Sequence, residues 1–233
     1  MIEIIPTVVP QKKEDIAANA NIIRTFCDWM HVDIVDGVFA PTATWPYKSP
    51  GVFNSFDLDD ASDLSVEAHL MVEELRLLGD ACVKSGAKRI LGHIEAFSDI
   101  ASAREALDSW RTLGAIEVGL GLLMQTPIEE IAPLIAECDV VHLMSIARIG
   151  TQGIPFDAEA PARISEFHQR YPGVRISVDG GVAESNLKDL IAAGVTRFGI
   201  GSAIMKAPDP EVAYQRLNEV AEASLQDQNI RTS

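Results

Sequence analysis

The sequence predicts a single (β/α)8 barrel spanning residues 1–233, with a polar C-terminal tail from about residue 224, and three observations carry this. Short β-branched or apolar runs begin near Glu3, Trp29, Leu64, Lys88, Glu117, Asp139, Val174 and Thr196, which makes eight candidate strands. Most are followed by a longer stretch with helical periodicity and caps. The strand starts lie about 28 residues apart on average, the size of one strand plus its returning helix. A chain of 233 residues, 47% apolar, can bury one large core, and no linker-like stretch divides it.

The units differ in how clearly they read. The second is the weakest, because "SPGVFNSFDLDDAS" is too rich in Pro, Gly, Asn, Asp and Ser for a good helix, so a short or irregular element is expected. The fifth opens on "TPIEE", with Thr126 as N-cap, Pro127 at the first helical position and Glu129 completing a capping box. The seventh helix should end at Gly194, a residue suited to a left-handed turn before the last strand. The eighth helix starts with Asp209 and Pro210, and "SLQDQNIRTS" after Ala223 is polar enough to fray.

Charge and composition exclude several classes. Lysine plus arginine total 19 against 34 acids, a formal charge of −15, and no basic run could track a nucleic-acid backbone. Apolar runs such as Glu117 to Met124 fall well short of the roughly 18 residues of a membrane span, and the N-terminus does not read as an export signal. The three cysteines, Cys27, Cys82 and Cys138, are odd in number and far apart, as expected of reduced thiols in a cytoplasm. An anionic ligand would need a local device against this field, such as backbone N–H groups presented by glycine loops.

In a barrel the chemistry belongs at the C-terminal ends of the strands. Side chains two apart share a strand face, so Trp29, His31 and Asp33 point one way and Met30, Val32 and Ile34 the other. His31 and Asp33 alone could be a structural pair. "VEAHLMVEE" adds His69 and Met71 near the end of the third strand, and "RISVDGGV" adds Asp179 at the end of the seventh. His31, Asp33, His69 and Asp179 thus form a candidate set of two imidazoles and two carboxylates from three strands. Such a set suits Zn²⁺ and would accept Fe²⁺, Mn²⁺ or Co²⁺. A Lewis acid between two carboxylates is equipment for moving a proton at a carbon next to a carbonyl. Gly180 and Gly181 after the seventh strand, and Gly201 and Ser202 after the eighth, stand where barrels commonly bind phosphate, although glycine also serves ordinary turns.

These residues resemble the ribulose-phosphate 3-epimerase family over nearly the whole chain. The resemblance runs through Pro6-Thr7, "HVDIVDG", "HLMV" at His69 to Val72, "HIEA" at His93 to Ala96, "VDGGV" and "GSAI", six motifs in register. It implies a barrel that interconverts D-ribulose 5-phosphate and D-xylulose 5-phosphate through a metal-stabilised cis-enediolate, without a redox cofactor. It further implies that His31, Asp33, His69 and Asp179 hold the metal, that Asp33 and Asp179 are the acid/base pair, and that Met71 and Met144 line the site. For the two methionines, simple filling of the barrel is the alternative.

The chain also departs from the family. "ARIGTQG" at Ala147 to Gly153 replaces the family's Asn-Pro-Gly-Phe-Gly-Gly-Gln loop, keeping Gly150 and Gly153; Thr7 replaces Ser, Val35 replaces Met, and "LLM" at Leu122 to Met124 replaces Leu-Asn-Pro. All lie around the substrate, so retained proton transfer with altered substrate recognition is expected. Arg148 is a candidate anion contact, with a solvated loop arginine as the alternative. His93 and Glu95 share a face and are expected to orient ligands or substrate, with a purely structural pair as the alternative; His142, where the family has an aliphatic residue, is expected to be hydrogen-bonded inside the barrel, with a ligand or substrate contact as the alternative. Asp28 is expected to be solvated, Asp36 to shape a turn, and His168 to lie at the surface.

The leading expectation is a metal-dependent ketose-phosphate 3-epimerase acting on a small sugar phosphate, ribulose 5-phosphate or a relative such as allulose 6-phosphate, with no nucleic-acid or membrane partner and assembled as a homo-oligomer. The alternatives are a sugar-phosphate-binding barrel without turnover, or another isomerase or lyase of the same fold. Related decarboxylases use Asp-x-Lys-x-x-Asp, and here Asp33 is followed by Ile34, Val35 and Asp36 with no lysine.

Overall fold

The structure is a computed structural model that describes residues 2–53, 55–151 and 153–232. The strands are β1 (Glu3–Val8), β2 (Trp29–Val35), β3 (Tyr47–Ser49), β4 (Val52–Phe53), β5 (Ser65–Met71), β6 (Arg89–His93), β7 (Glu117–Leu122), β8 (Val140–Met144), β9 (Ile176–Asp179) and β10 (Arg197–Ile200). The helices are α1 (Glu14–Ile23), α2 (Leu75–Lys84), α3 (Ile100–Leu113), α4 (Ala160–Arg170), α5 (Glu184–Ala192), α6 (Ser202–Met205) and α7 (Pro210–Thr232). Eight strands close into a parallel barrel in the order β1, β10, β9, β8, β7, β6, β5, β2. This is a (β/α)8 barrel, and its strands start within about two residues of the positions read from the sequence.

Strand alternation divides the apolar from the polar. Met30, Val32 and Ile34 of β2 point outward and are fully buried beneath the helices, while His31 and Asp33 point into the barrel. The helix layer packs closely where glycine permits it. A Cβ on Gly79 of α2 would stand 2.2 Å from Nε1 of Trp110 on α3, so the bare backbone there lets the indole lie against α2. The cap of α3 is local: Asp99 Oδ1 accepts from the Ser102 backbone N–H at 2.8 Å, and Gly114 ends the helix at φ 113°.

The barrel floor is ionic rather than apolar. The fully buried Arg197 donates to Glu3 (2.7 Å), Glu67 (3.1 Å) and Glu117 (2.6 Å), while Arg89 pairs with Glu3 at 2.8 Å and lies 3.5 Å over the Trp29 ring. Removing one member of such a cluster strands its partners' charges, a cost of about 3–5 kcal/mol.

One local expectation holds and two change. The second unit is irregular as read, a hairpin of β3 and β4 followed by a 3₁₀ turn at Asp59–Ala61. The fifth connection is a 3₁₀ segment, Ile128–Glu137, and not a capped α-helix; Pro133 inside it lacks the N–H that an α-helix needs, and the Thr126 hydroxyl donates to Glu95 instead of capping. The stretch after Ala223, read as a frayed tail, continues α7 as helical backbone to Thr232. Asp209 caps that helix through the Val212 N–H at 3.2 Å, and Gly194 takes the left-handed turn at φ 109°.

Candidate active site

Four side chains from three strands converge at the upper end of the barrel. β2 lies beside β5 with Asp33 directly opposite His69, and Asp179 closes β9 on the far side of β1 and β10. One ligand atom from each of His31, Asp33, His69 and Asp179 falls within 4.8 Å of all the others, so the four can hold a metal ion. The donor set fits a divalent ion chemically: two imidazole nitrogens and two carboxylates, of which His31 and His69 are fully buried and already oriented by partners.

Hydrogen bonds link these groups into a chain, although His93 Nδ1, Glu95 Oε2 and His142 Nε2 are buried without a hydrogen-bond partner among the described residues. Asp33 Oδ1 accepts from His69 Nδ1 at 2.8 Å and from His31 Nε2 at 3.2 Å, and the other nitrogen of His31, Nδ1, donates to Glu67 Oε1 at 2.8 Å. His69 Nε2 lies 2.9 Å from His93 Nε2, and His93 Nδ1 lies 3.3 Å from Glu95 Oε2. Glu95 Oε1 in turn accepts from the Leu123 N–H at 2.8 Å and from the Thr126 hydroxyl. His142 donates to or accepts from Ser177 Oγ at 3.0 Å, and its ring packs against His69 with centroids 4.6 Å apart. Small residues make room for this imidazole cluster: a Cβ on Gly121 would stand 2.9 Å from the His93 ring.

The environment drives the acidities apart. Burial alone would raise the Asp33 carboxyl, but hydrogen bonds from His31 and His69 outweigh it and hold Asp33 well below the usual carboxylate range. Burial, reinforced by the charge on Asp33, pushes Asp179 up to about 6. For His31, burial opposes charge, yet the Asp33 and Glu67 carboxylates raise it to about 10. Burial and then the charge of neighbouring His69 lower His142 well below the ordinary histidine value.

Above the cluster is a cavity of about 620 Å³ lined by Thr7, Asp33, Met71, Met144, Asp179 and both glycine loops. Among the residues singled out from the sequence, Gly150, Gly153, Gly180, Gly181, Gly201 and Ser202 all reach this lining. Gly180 and Gly181 take consecutive left-handed conformations, φ 111° and 66°, which turn the chain tightly after β9. Thr7 Oγ1 is buried and has no hydrogen-bond partner among the described residues, and a Cβ on Gly199 would stand 3.0 Å from it. His93, Glu95 and His142 lie outside the lining, beside the cluster rather than in the cavity.

Arg148 is exposed and does not line the cavity; its rewritten loop reaches the lining through Ile149, Gly150, Thr151, Gly153 and Ile154, with Gln152 outside the described residues. Asp36 shapes the turn, accepting from the Val38 and Phe39 N–H groups at 2.8 Å each. His168 is half-buried rather than at the surface, because its ring lies over Gly194, where a Cβ would stand 2.6 Å away. Residues not anticipated include Gln11, Asn19 and Lys206 in the lining, and Glu67 beneath His31.

The fold and this cluster define a class: a barrel enzyme with imidazoles and carboxylates that can hold a metal ion gathered at one mouth. The sequence model of the ribulose-phosphate 3 epimerase family matches residues 3–205. The chain therefore belongs to that family and is an epimerase, an isomerase-class enzyme. It is 28% identical to the cytoplasmic isoform of ribulose-phosphate 3-epimerase from Oryza sativa subsp. japonica over 95% of both chains. It is 31% identical to ribulose-phosphate 3-epimerase from Chlamydia muridarum over 76% of each. Among solved structures, 3-hexulose-6-phosphate synthase from Salmonella typhimurium superimposes with a TM-score of 0.69 at 12% identity, covering 96% of this chain and all (100%) of that one, a likeness of fold. No helix among the described residues is long and apolar enough to cross a membrane.

Proposed function

We propose that the enzyme inverts C3 of a ketose phosphate, interconverting D-ribulose 5-phosphate and D-xylulose 5-phosphate or a close relative such as D-allulose 6-phosphate. The observation that carries this reading is the placement of two carboxylates of opposed acidity, Asp33 and Asp179, in one cluster under a cavity of about 620 Å³. Paired groups whose acidities are driven apart divide naturally into a base and an acid. Asp33, ionised and held by two imidazoles, is fitted to take the C3 proton from one face. Asp179, protonated over a higher range of pH, is fitted to deliver a proton to the other face, and the roles exchange in the reverse direction.

His31, Asp33, His69 and Asp179 would hold one divalent ion, zinc by their mixture of donors, although iron, manganese or cobalt suits the same set. When bound, it supplies Lewis acidity that stabilises negative charge on the ketose oxygens. Removal and return of a proton leave the oxidation state of the sugar unchanged, so no redox cofactor is required. The backbone N–H groups of the Gly180–Gly181 and Gly201–Ser202 turns are assigned to the phosphate, and the unpartnered Thr7 hydroxyl to a substrate oxygen. Met71, Met144, Val35 and Ile149 form an apolar cluster at the cavity wall that excludes water from the reacting carbon. Cys27, Cys82 and Cys138 are all free thiols, which supports a reducing compartment, the cytoplasm.

The test is solvent-deuterium exchange at C3 across a panel of ketose phosphates with metal-replete enzyme. Exchange into one of them with inversion supports the reading. Saturable binding of a ketose phosphate with no exchange at C3 would sink it in favour of a binding barrel.

A further inference from the structure

We infer that Glu67 is a positioning residue that sets which nitrogen of His31 faces the metal site, and that Arg197 fixes Glu67 for this purpose. The inference rests on the four-ligand reading above. Glu67 is fully buried on β5, two residues before His69, and its two carboxylate oxygens have separate duties. Oε1 accepts from His31 Nδ1 at 2.8 Å, and Oε2 accepts from Arg197 Nη1 at 3.1 Å, with Arg89 Nη1 at 3.9 Å.

The consequence follows from the chemistry of imidazole. A neutral ring carries one N–H and one lone pair, and only the lone pair can ligate. Glu67 is an acceptor, so it retains the proton on Nδ1, and the lone pair is left on Nε2, the nitrogen that lies 3.2 Å from Asp33 Oδ1 inside the cluster. A metal-ligating histidine generally needs such an outer partner to fix ring and tautomer, and its loss typically weakens metal binding about 10–100-fold. Glu67 cannot turn away, because Arg197 is itself clamped by Glu3 at 2.7 Å and Glu117 at 2.6 Å. The ionic floor of the barrel is thereby connected to the site through two hydrogen bonds, Arg197 to Glu67 and His31 to Glu67.

The isosteric substitution Glu67→Gln gives a sharp test. Arg197 is donor-only, so it draws the amide oxygen toward itself and leaves the amide NH2 facing His31. An NH2 there favours the lone pair on Nδ1 and the proton on Nε2, the form that does not ligate from Nε2. Zinc affinity is measured by competition with a chromophoric chelator, alongside the melting temperature of zinc-free protein and the imidazole 15N–1H spectrum of the zinc-loaded form. The expected result is about 10–100-fold weaker zinc binding by folded Glu67→Gln, with loss of the Nδ1–H signal of His31.

A role confined to stability would lower the zinc-free melting temperature and leave the zinc affinity of the folded protein within threefold of wild type; that result overturns the inference. Should Glu67→Gln fail to fold, Glu67→Asp keeps the charge but withdraws the carboxylate by one methylene from His31, and the same two outcomes apply to it. Wild-type protein that binds no zinc would overturn the four-ligand reading itself, a failure distinct from zinc binding that is indifferent to Glu67.

Discussion

Asp33 and Asp179 belong to one cluster of ligand atoms, all within 4.8 Å of one another, yet their carboxyls are driven in opposite directions. Two imidazoles donate to Asp33, while the only hydrogen bond to the Asp179 side chain among the described residues comes from the Gly180 N–H next to it, at 2.8 Å. The difference in donors, rather than in depth, separates the pair. Asp33→Asn and Asp179→Asn should each lower kcat for epimerisation by about 10²–10⁴-fold. With one base left, C3 exchange with deuterated solvent should persist from one epimer and vanish from the other. Exchange from both epimers in either variant would contradict the two-carboxylate assignment.

Metal binding should release a proton and strengthen as pH rises. His31 is raised to about 10 in the protein without metal, so at pH 7 it carries a proton that a ligand nitrogen must lose. Calorimetric zinc titrations in two buffers of different ionisation enthalpy should therefore show about one proton released per ion near neutrality. The same shift has a stability consequence for metal-free protein. His31 contributes stability that is fully present below 6.5, its ordinary value, and is lost as pH rises through about 10. Thermal melts of metal-free protein across this window should fall with pH more steeply in wild type than in His31→Gln.

The α2–α3 contact gives a prediction about stability alone. An alanine in place of Gly79 gains helix propensity of about 1 kcal/mol. Its Cβ would however stand 2.2–2.8 Å from three atoms of the fully buried Trp110 indole, which has no room to retreat. Overpacking of this kind costs about 1–3 kcal/mol, so the clash should win and Gly79→Ala should lower the denaturation midpoint. An unchanged or raised midpoint in urea would show that the helices can slide apart freely.

Most of the barrel and the quartet that can hold a metal ion were legible because both rest on strand period. Alternation put His31 with Asp33 on the inner face, and the same rule placed His69 and Asp179 at strand ends. Glu67 carries the same signal, being two residues from His69, and so do the charged strand starts Glu3, Arg89, Glu117 and Arg197, whose common depth emerges only from the strand register. Other features were not legible because they are set by distant packing. Thr126 looks like a cap in isolation, and only the arrival of Glu95 from the neighbouring strand end claims its hydroxyl. Arg148 looked like an anion contact by position, but the loop turns its glycines and Ile149 inward and leaves the arginine in solvent.

Thr42 holds a left-handed backbone, φ 77°, at the rim of the cavity in the segment "APTATWPY". That conformation is a true outlier for a β-branched residue and costs on the order of 1–2 kcal/mol. Asparagine tolerates it far better, so Thr42→Asn should raise stability by about 1 kcal/mol while altering KM for the ketose phosphate. A variant neither more stable nor changed in KM would mean that the strained threonine has no part in shaping the mouth.

Two positions of the loop after β8 should respond unequally to substitution. Gly150, at φ 74°, passes so close to the loop after β2 that a Cβ would lie 2.7 Å from both the Ala40 Cβ and the Pro41 carbonyl oxygen. An alanine there is strained by its own backbone and collides with backbone as well as side chain, so the wall formed by Ile149, Gly150 and Thr151 must move. Gly150→Ala should raise KM about tenfold or more with a smaller loss of kcat, since the carboxylates lie deeper and stay in place. Arg148→Ala, by contrast, removes an exposed side chain outside the lining and should change KM less than about twofold. Steady-state kinetics of the two variants decide between them. A large KM effect at Arg148 with none at Gly150 would mean that the loop folds over the substrate in a way that brings the guanidinium onto the anion.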